Sequence, residues 1–141
     1  HTFYWGDWHR DSVFGEDRAM RISPTKSTLN RKMPFTVHND APVVPPDMIR
    51  LLWSTTNRKT RSGKVLGEEQ KISTYDALKA VTINAAFQHF EDGMKGTIEV
   101  GKQADLVVLS EDPLSVDTKN LLEIDVVATF SRGLEIFNAK K

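Results

Sequence analysis

The chain has 141 residues, with 19 Lys and Arg against 19 Asp and Glu, and no cysteine. That length suits one ordinary domain with a real core. The balanced charge advertises no nucleic-acid or anionic-membrane partner, and no apolar run approaches the roughly 20 residues that span a bilayer.

Thr2-Phe3-Tyr4-Trp5 is aromatic and β-branched, and Gly6-Asp7 breaks it, which predicts a strand end running into a charged loop over residues 7–17. Residues 18–22 read as a second short strand. Ser23 reads as an N-cap and Pro24 as the first residue of a helix through Lys32. Residues 34–38 read as a strand, and the order strand, loop, helix, strand suggests parallel α/β units. Asp47 is placed to cap a helix over residues 48–54, where Met48, Leu51 and Leu52 have helical spacing. Residues 57–69 are polar and basic, with Gly63 and Gly67, and read as a loop. Ser73-Thr74-Tyr75-Asp76 has the form of a capping box before Ala77, Leu78, Val81 and Ala85 at helical intervals. Beyond Gly93 the pattern changes to strands at residues 104–109, 126–130 and 135–137, so a domain boundary is expected near residue 92.

Without thiolates, disulfides are excluded and any metal is held by nitrogen and oxygen. The lack of cysteine is also compatible with the cytoplasm. Asp40 follows the predicted strand 34–38, and a carboxylate at the C-terminal rim of an α/β barrel is where catalytic groups sit. Asn39-Asp40-Ala41-Pro42 equally describes a turn in which Asp accepts backbone N–H groups. His38 lies two residues earlier, on the same face of a strand as Asp40. His9 sits in the run Trp5-Gly6-Asp7-Trp8-His9-Arg10-Asp11, which would line a pocket with apolar rings and polar tips, or else form a solvated loop. His89 reads as a helix-end histidine. The run Arg58-Lys59-Thr60-Arg61 reads as a solvated loop, with an acidic substrate as its functional alternative. There is no glycine-rich phosphate loop, no nucleophile elbow and no His-Glu-x-x-His helix. Metal-assisted hydrolysis is the chemistry that remains.

Thr82-Ile83-Asn84-Ala85-Ala86, followed by Gly96-Thr97-Ile98-Glu99-Val100-Gly101-Lys102-Gln103-Ala104-Asp105-Leu106-Val107-Val108-Leu109, resembles the C-terminal signature of the amidohydrolase superfamily. The front, His1-Thr2-Phe3-Tyr4-Trp5-Gly6-Asp7-Trp8-His9 with His38-Asn39-Asp40-Ala41-Pro42, is similar to the branch that includes N-substituted formamide deformylases. The resemblance implies the C-terminal part of a metal-dependent (β/α)8 barrel hydrolase over residues 1–92. It implies part of a composite β-sandwich over residues 93–141. It implies one or two divalent ions, zinc foremost, with His1 and Asp40 as ligands and Asp40 as the proton shuttle. Trp5, Trp8 and His9 would be pocket residues, His38 a support, and Asp105 a structural residue at the start of a sandwich strand.

The family's other metal ligands and its earlier barrel strands have no counterpart here. The reading is therefore a fragment, inactive alone, that acts on a small-molecule amide together with a missing N-terminal half or a second copy. A metal-free scaffold domain derived from the same fold is the alternative. A cyclic-amide hydrolase or deaminase is a third.

Overall fold

The computed structural model describes residues 1–140. Residues 2–5, expected as a strand, instead open helix α1 (Thr2–Trp8). The Trp5 N–H donates to His1 O at 2.9 Å. The expected aromatic loop is helical as well: α1 passes into a π turn (His9–Val13), closed by Phe14 N–H donating to His9 O at 2.8 Å. Aromatic residues favour a strand only where a neighbouring strand meets them, and none does so here. Residues 18–22 are likewise not a strand but the end of α2 (Glu16–Ala19) and the turn after it. Helix α3 (Thr25–Asn30) begins one residue later than expected, with Pro24 rather than Ser23 at its N-cap. Residues 34–38 are irregular, so the expected strand before Asp40 is absent, and with it the predicted parallel α/β units. A strand without a partner leaves its backbone ladder open and is not stable.

Downstream, pattern and structure agree more closely. Asp47 caps α4 (Met48–Asn57), its Oδ1 accepting the Arg50 N–H at 2.9 Å. Ser73 caps α5 (Thr74–Val81) through the Asp76 N–H, and its own hydroxyl donates to the Asp76 carboxylate at 2.7 Å. The helix expected to continue through Ala85 breaks at Thr82, whose hydroxyl bonds back to Leu78 O at 2.7 Å; α6 (Ile83–Gln88) then begins afresh and ends at His89. Such back-bonding competes with the helix ladder.

The strands β1 (Leu106–Leu109), β2 (Val126–Ser131) and β3 (Leu134–Asn138) form an antiparallel meander in the order β1-β2-β3. Leu106 stands opposite Phe130, and Thr129 opposite Phe137. Asp105 precedes β1 and accepts the Arg132 N–H at 2.9 Å, the backbone role expected of it. That bond, followed by the one from Gln103, holds its carboxyl below the usual range against a smaller opposing effect of burial.

The core joins α4 and α5 to the turn before β2. Leu52, Trp53, Ile72, Ala77, Leu121 and Ile124 bury one another, and Phe3 packs edge-on against Trp53 at 5.6 Å. Fully burying a side chain such as Leu52 contributes about 1.5–3 kcal/mol. Among the described residues no helix is long and apolar enough to cross a membrane.

Candidate active-site cavity

A cavity of about 380 Å³ opens between α1, the irregular segment around residues 35–44, and α4. Its lining includes His1, Trp5, His38, Asp40, Arg50 and Arg58. The size suits a small organic molecule rather than a polymer. Four of the residues singled out from the sequence therefore meet there, although the strand meant to deliver Asp40 is missing. Trp8 and His9 lie outside the lining.

Asp40 is exposed and takes a left-handed backbone, φ 59°, directly before the cis Ala41-Pro42 bond. Asp is among the residues that tolerate this region best, because its short side chain bonds locally. The segment is tied by the Asp40 N–H donating to His38 Nδ1 at 3.1 Å and by the Val43 N–H donating to Asp40 O at 2.8 Å. Asn39 between them is buried, and its Nδ2 has no partner.

His9 sits behind the cavity wall. Its ring lies 5.8 Å from His1, 5.5 Å from Trp8 and 5.2 Å from Phe14. Its Nδ1 is buried without a partner. Burial pulls the imidazole below its ordinary pKa.

Two further residues matter here: Arg58, read from the sequence as part of a solvated loop with contact to an acidic substrate as the alternative, and Asp7, read only as part of the aromatic run. Arg58 ends α4 in a left-handed conformation, φ 52°, and is 1% exposed. Its guanidinium donates to Leu66 O (2.7 Å), Ser23 O (2.9 Å) and Ile22 O (2.7 Å). The expected solvated loop thus starts from a buried cation, and a basic residue at a helix C-terminus was the available signal. Asp7 accepts the Ser62 N–H at 3.0 Å and the Ser62 hydroxyl at 2.6 Å, and pairs with Arg10 at 3.2 Å. Burial acts to raise its pKa, but the bonds from Ser62 and Thr60 and the charge of Arg10 outweigh that and hold it at about 2. Asp7 thereby pins the loop after α4 to α1.

Imidazole nitrogen and carboxylate oxygen are the right donors for a divalent ion such as zinc. Their number is insufficient. Among the described residues no group of three His, Cys, Asp or Glu side chains is placed to hold a metal, whereas a catalytic zinc usually takes three protein ligands and a water. His1 and Asp40 share the cavity without closing a site.

Comparison with known proteins places these features in a family. A family model described as "Amidohydrolase family" matches residues 1–137. The N-substituted formamide deformylase of Arthrobacter pascens is 28% identical over 133 residues, covering 94% of this chain and 24% of its own length. A Bacillus subtilis (strain 168) protein is 26% identical over 126 residues, again covering 24% of its own length. The chain thus spans about a quarter of the curated relatives it matches. An amidohydrolase crystal structure from Thermotoga maritima aligns with 86% of the chain and 35% of its own, at TM-score 0.44 and 20% identity. By the match over residues 1–137, this chain belongs to the amidohydrolase family.

Proposed function

We propose that this chain is the C-terminal portion of a metal-dependent hydrolase that uses water to cleave the C–N bond of an amide or formamide. The observation that carries the reading is that His1, His38 and Asp40 meet at one cavity of small-molecule size in a chain of amidohydrolase type. Residues 1–92 would belong to a (β/α)8 barrel and residues 93–141 to a β-sandwich. Strands need partners, so the barrel path of the early residues would form only against strands from elsewhere. Those would come from an N-terminal half or a second copy, and this chain alone would be inactive.

Asp40 is the proton shuttle in this reading. A carboxylate facing the cavity takes a proton from the attacking water and returns it to the departing amine, a role worth about 10²–10⁴ in rate. The His38 bond to the Asp40 N–H holds that backbone in place. A divalent metal, zinc foremost, supplies when bound a more acidic water and a polarised carbonyl. His1 and Asp40 would contribute to holding it, with the remaining ligands coming from outside this chain. Trp5 would give the substrate an apolar wall, and Trp8 and His9 would back it.

The experiment is amine release from a panel of N-substituted formamides and simple amides by the complete enzyme that carries this chain. The reading predicts turnover of at least one class and its loss in Asp40→Asn. Turnover undiminished in that variant would overturn the role of Asp40.

A further inference from the structure

Residues 35–40 form one continuous wall of the cavity. Among the described residues, no backbone group of residues 34–39 bonds to another backbone group. A segment without a ladder keeps its course through side chains that reach it from elsewhere. Helix α6 supplies two of them. Asn84 donates from Nδ2 to Phe35 O at 2.9 Å, and Gln88 Oε1 accepts the Thr36 hydroxyl at 2.7 Å. These bonds cross 49 and 52 positions of the chain. Asn84 and Gln88 share one face of α6, a turn apart. They grip two consecutive residues of the wall, just ahead of His38, Asn39 and Asp40.

The helix that does this is itself braced. The Thr82 hydroxyl bonds back to Leu78 O and ends α5, so α6 starts in a new direction. Gly96, at φ +97°, packs against α6 so closely that a Cβ there would press on Ala86 and Ile83. The two pieces of the family signature, residues 82–86 and the run from Gly96, therefore meet at one helix. That helix holds the wall on which Asp40 stands.

We propose that Asn84 is a positioning residue for Asp40, with Gln88 as a weaker second, so that α6 sets where the carboxylate stands. The proposal rests on the hydrolase reading above and adds the device that aims its proton shuttle. The Asn84 bond is partly buried, whereas the Gln88 bond is exposed and competes with water, so Asn84 carries more of the hold. A carbonyl oxygen has two lone pairs, so Phe35 keeps its bond to Asn84 while remaining free to pair with a neighbouring strand.

The test is a double-mutant cycle in the complete enzyme, on one formamide that the wild type turns over. Asn84→Ala is expected to lower kcat about tenfold or more, with KM within about twofold, because small misplacements of a reacting group cost up to about 10² in rate. In an Asp40→Asn background the same change should cost almost nothing, since a group that no longer shuttles the proton gains nothing from being aimed. A merely structural Asn84 would cost the same in both backgrounds. Should Asn84→Ala fail to fold, Gln88→Ala gives the same cycle at an exposed residue, with a fall of about threefold. Hydrogen exchange at the Asp40 and Val43 amides, both bonded in the wild type, runs beside the kinetics. It should quicken in Asn84→Ala while the amides of α4 stay unchanged.

Unchanged kcat in Asn84→Ala, or equal losses in the two backgrounds, overturns the proposal and leaves the hydrolase reading standing. Undiminished turnover in Asp40→Asn alone, or no hydrolysis by the wild type, contradicts the hydrolase reading instead. Exchange then decides the clamp by itself: quickened exchange at Asp40 and Val43 supports it, and unchanged exchange overturns it.

Discussion

The imidazole Nδ1 of His38 accepts the backbone N–H of Asp40 at 3.1 Å. An imidazole nitrogen accepts only when unprotonated, so this bond selects the tautomer with its proton on Nε2. His38 thereby fixes the backbone that presents the Asp40 carboxylate, without touching the carboxylate itself.

Replacing His38 by Ala removes that acceptor. Loss of one hydrogen bond of this kind is worth about 1 kcal/mol, so kcat in the complete enzyme is expected to fall roughly fivefold. Thermal stability should change little, because His38 is exposed. His38→Asn offers an oxygen as acceptor and should recover part of the loss. Identical kcat in wild type and His38→Ala would contradict the positioning role.

Arg58→Met leaves the Leu66, Ser23 and Ile22 carbonyls without their donor. With about 1–3 kcal/mol for each buried group left unpaired, unfolding free energy should fall by about 3 kcal/mol or more. Urea denaturation followed by Trp fluorescence reads this, and a change under about 1 kcal/mol would show that the clamp is dispensable.

Asp7 sets an acid limit. Its carboxyl stands at about 2 in the folded chain, below the ordinary carboxylate range. A depressed carboxyl stabilises the fold above its unfolded pKa, and that contribution fades as pH falls from near 4 through about 2. Asp7→Asn should therefore lower stability at neutral pH and flatten the decline below pH 4. Parallel acid titrations of the two proteins by circular dichroism check this, and superimposable curves would refute it.

Gly67 holds φ +73°, and a Cβ built there would clash with the backbone oxygen of Met20. Gly67→Ala meets both the left-handed strain of about 1–2 kcal/mol and that clash. The expected loss is about 3 kcal/mol in total. A Tm within a degree of wild type would mean that the turn relaxes freely.

Local chemistry was the legible part of this chain. The Asp47 and Ser73 caps and the three late strands follow from side chains acting on their own backbone, or on neighbours close in sequence. The early strands were misread because Thr2-Phe3-Tyr4-Trp5 satisfies a strand's composition, while the backbone partner a strand needs lies outside the local pattern. Asp7 reaches Ser62 across 55 positions, and Arg58 reaches Ser23 across 35. No periodicity encodes such pairs. The cavity was half legible: Asp40, His38, His1 and Trp5 were candidates by residue type, whereas the buried charge of Arg58 emerges only once the carbonyls around it are in place.

The central claim is that Asp40 moves the proton in C–N bond hydrolysis, and single-turnover formate release tests it most directly. The complete enzyme and its Asp40→Asn variant would be compared on one formamide that the wild type turns over, with metal content and Tm matched between them. The account predicts a rate lower by about 10²–10⁴ in the variant, because an amide at that position cannot take the proton from water. A variant that releases formate within about threefold of wild type would contradict it and leave Asn39-Asp40-Ala41-Pro42 as a turn and nothing more.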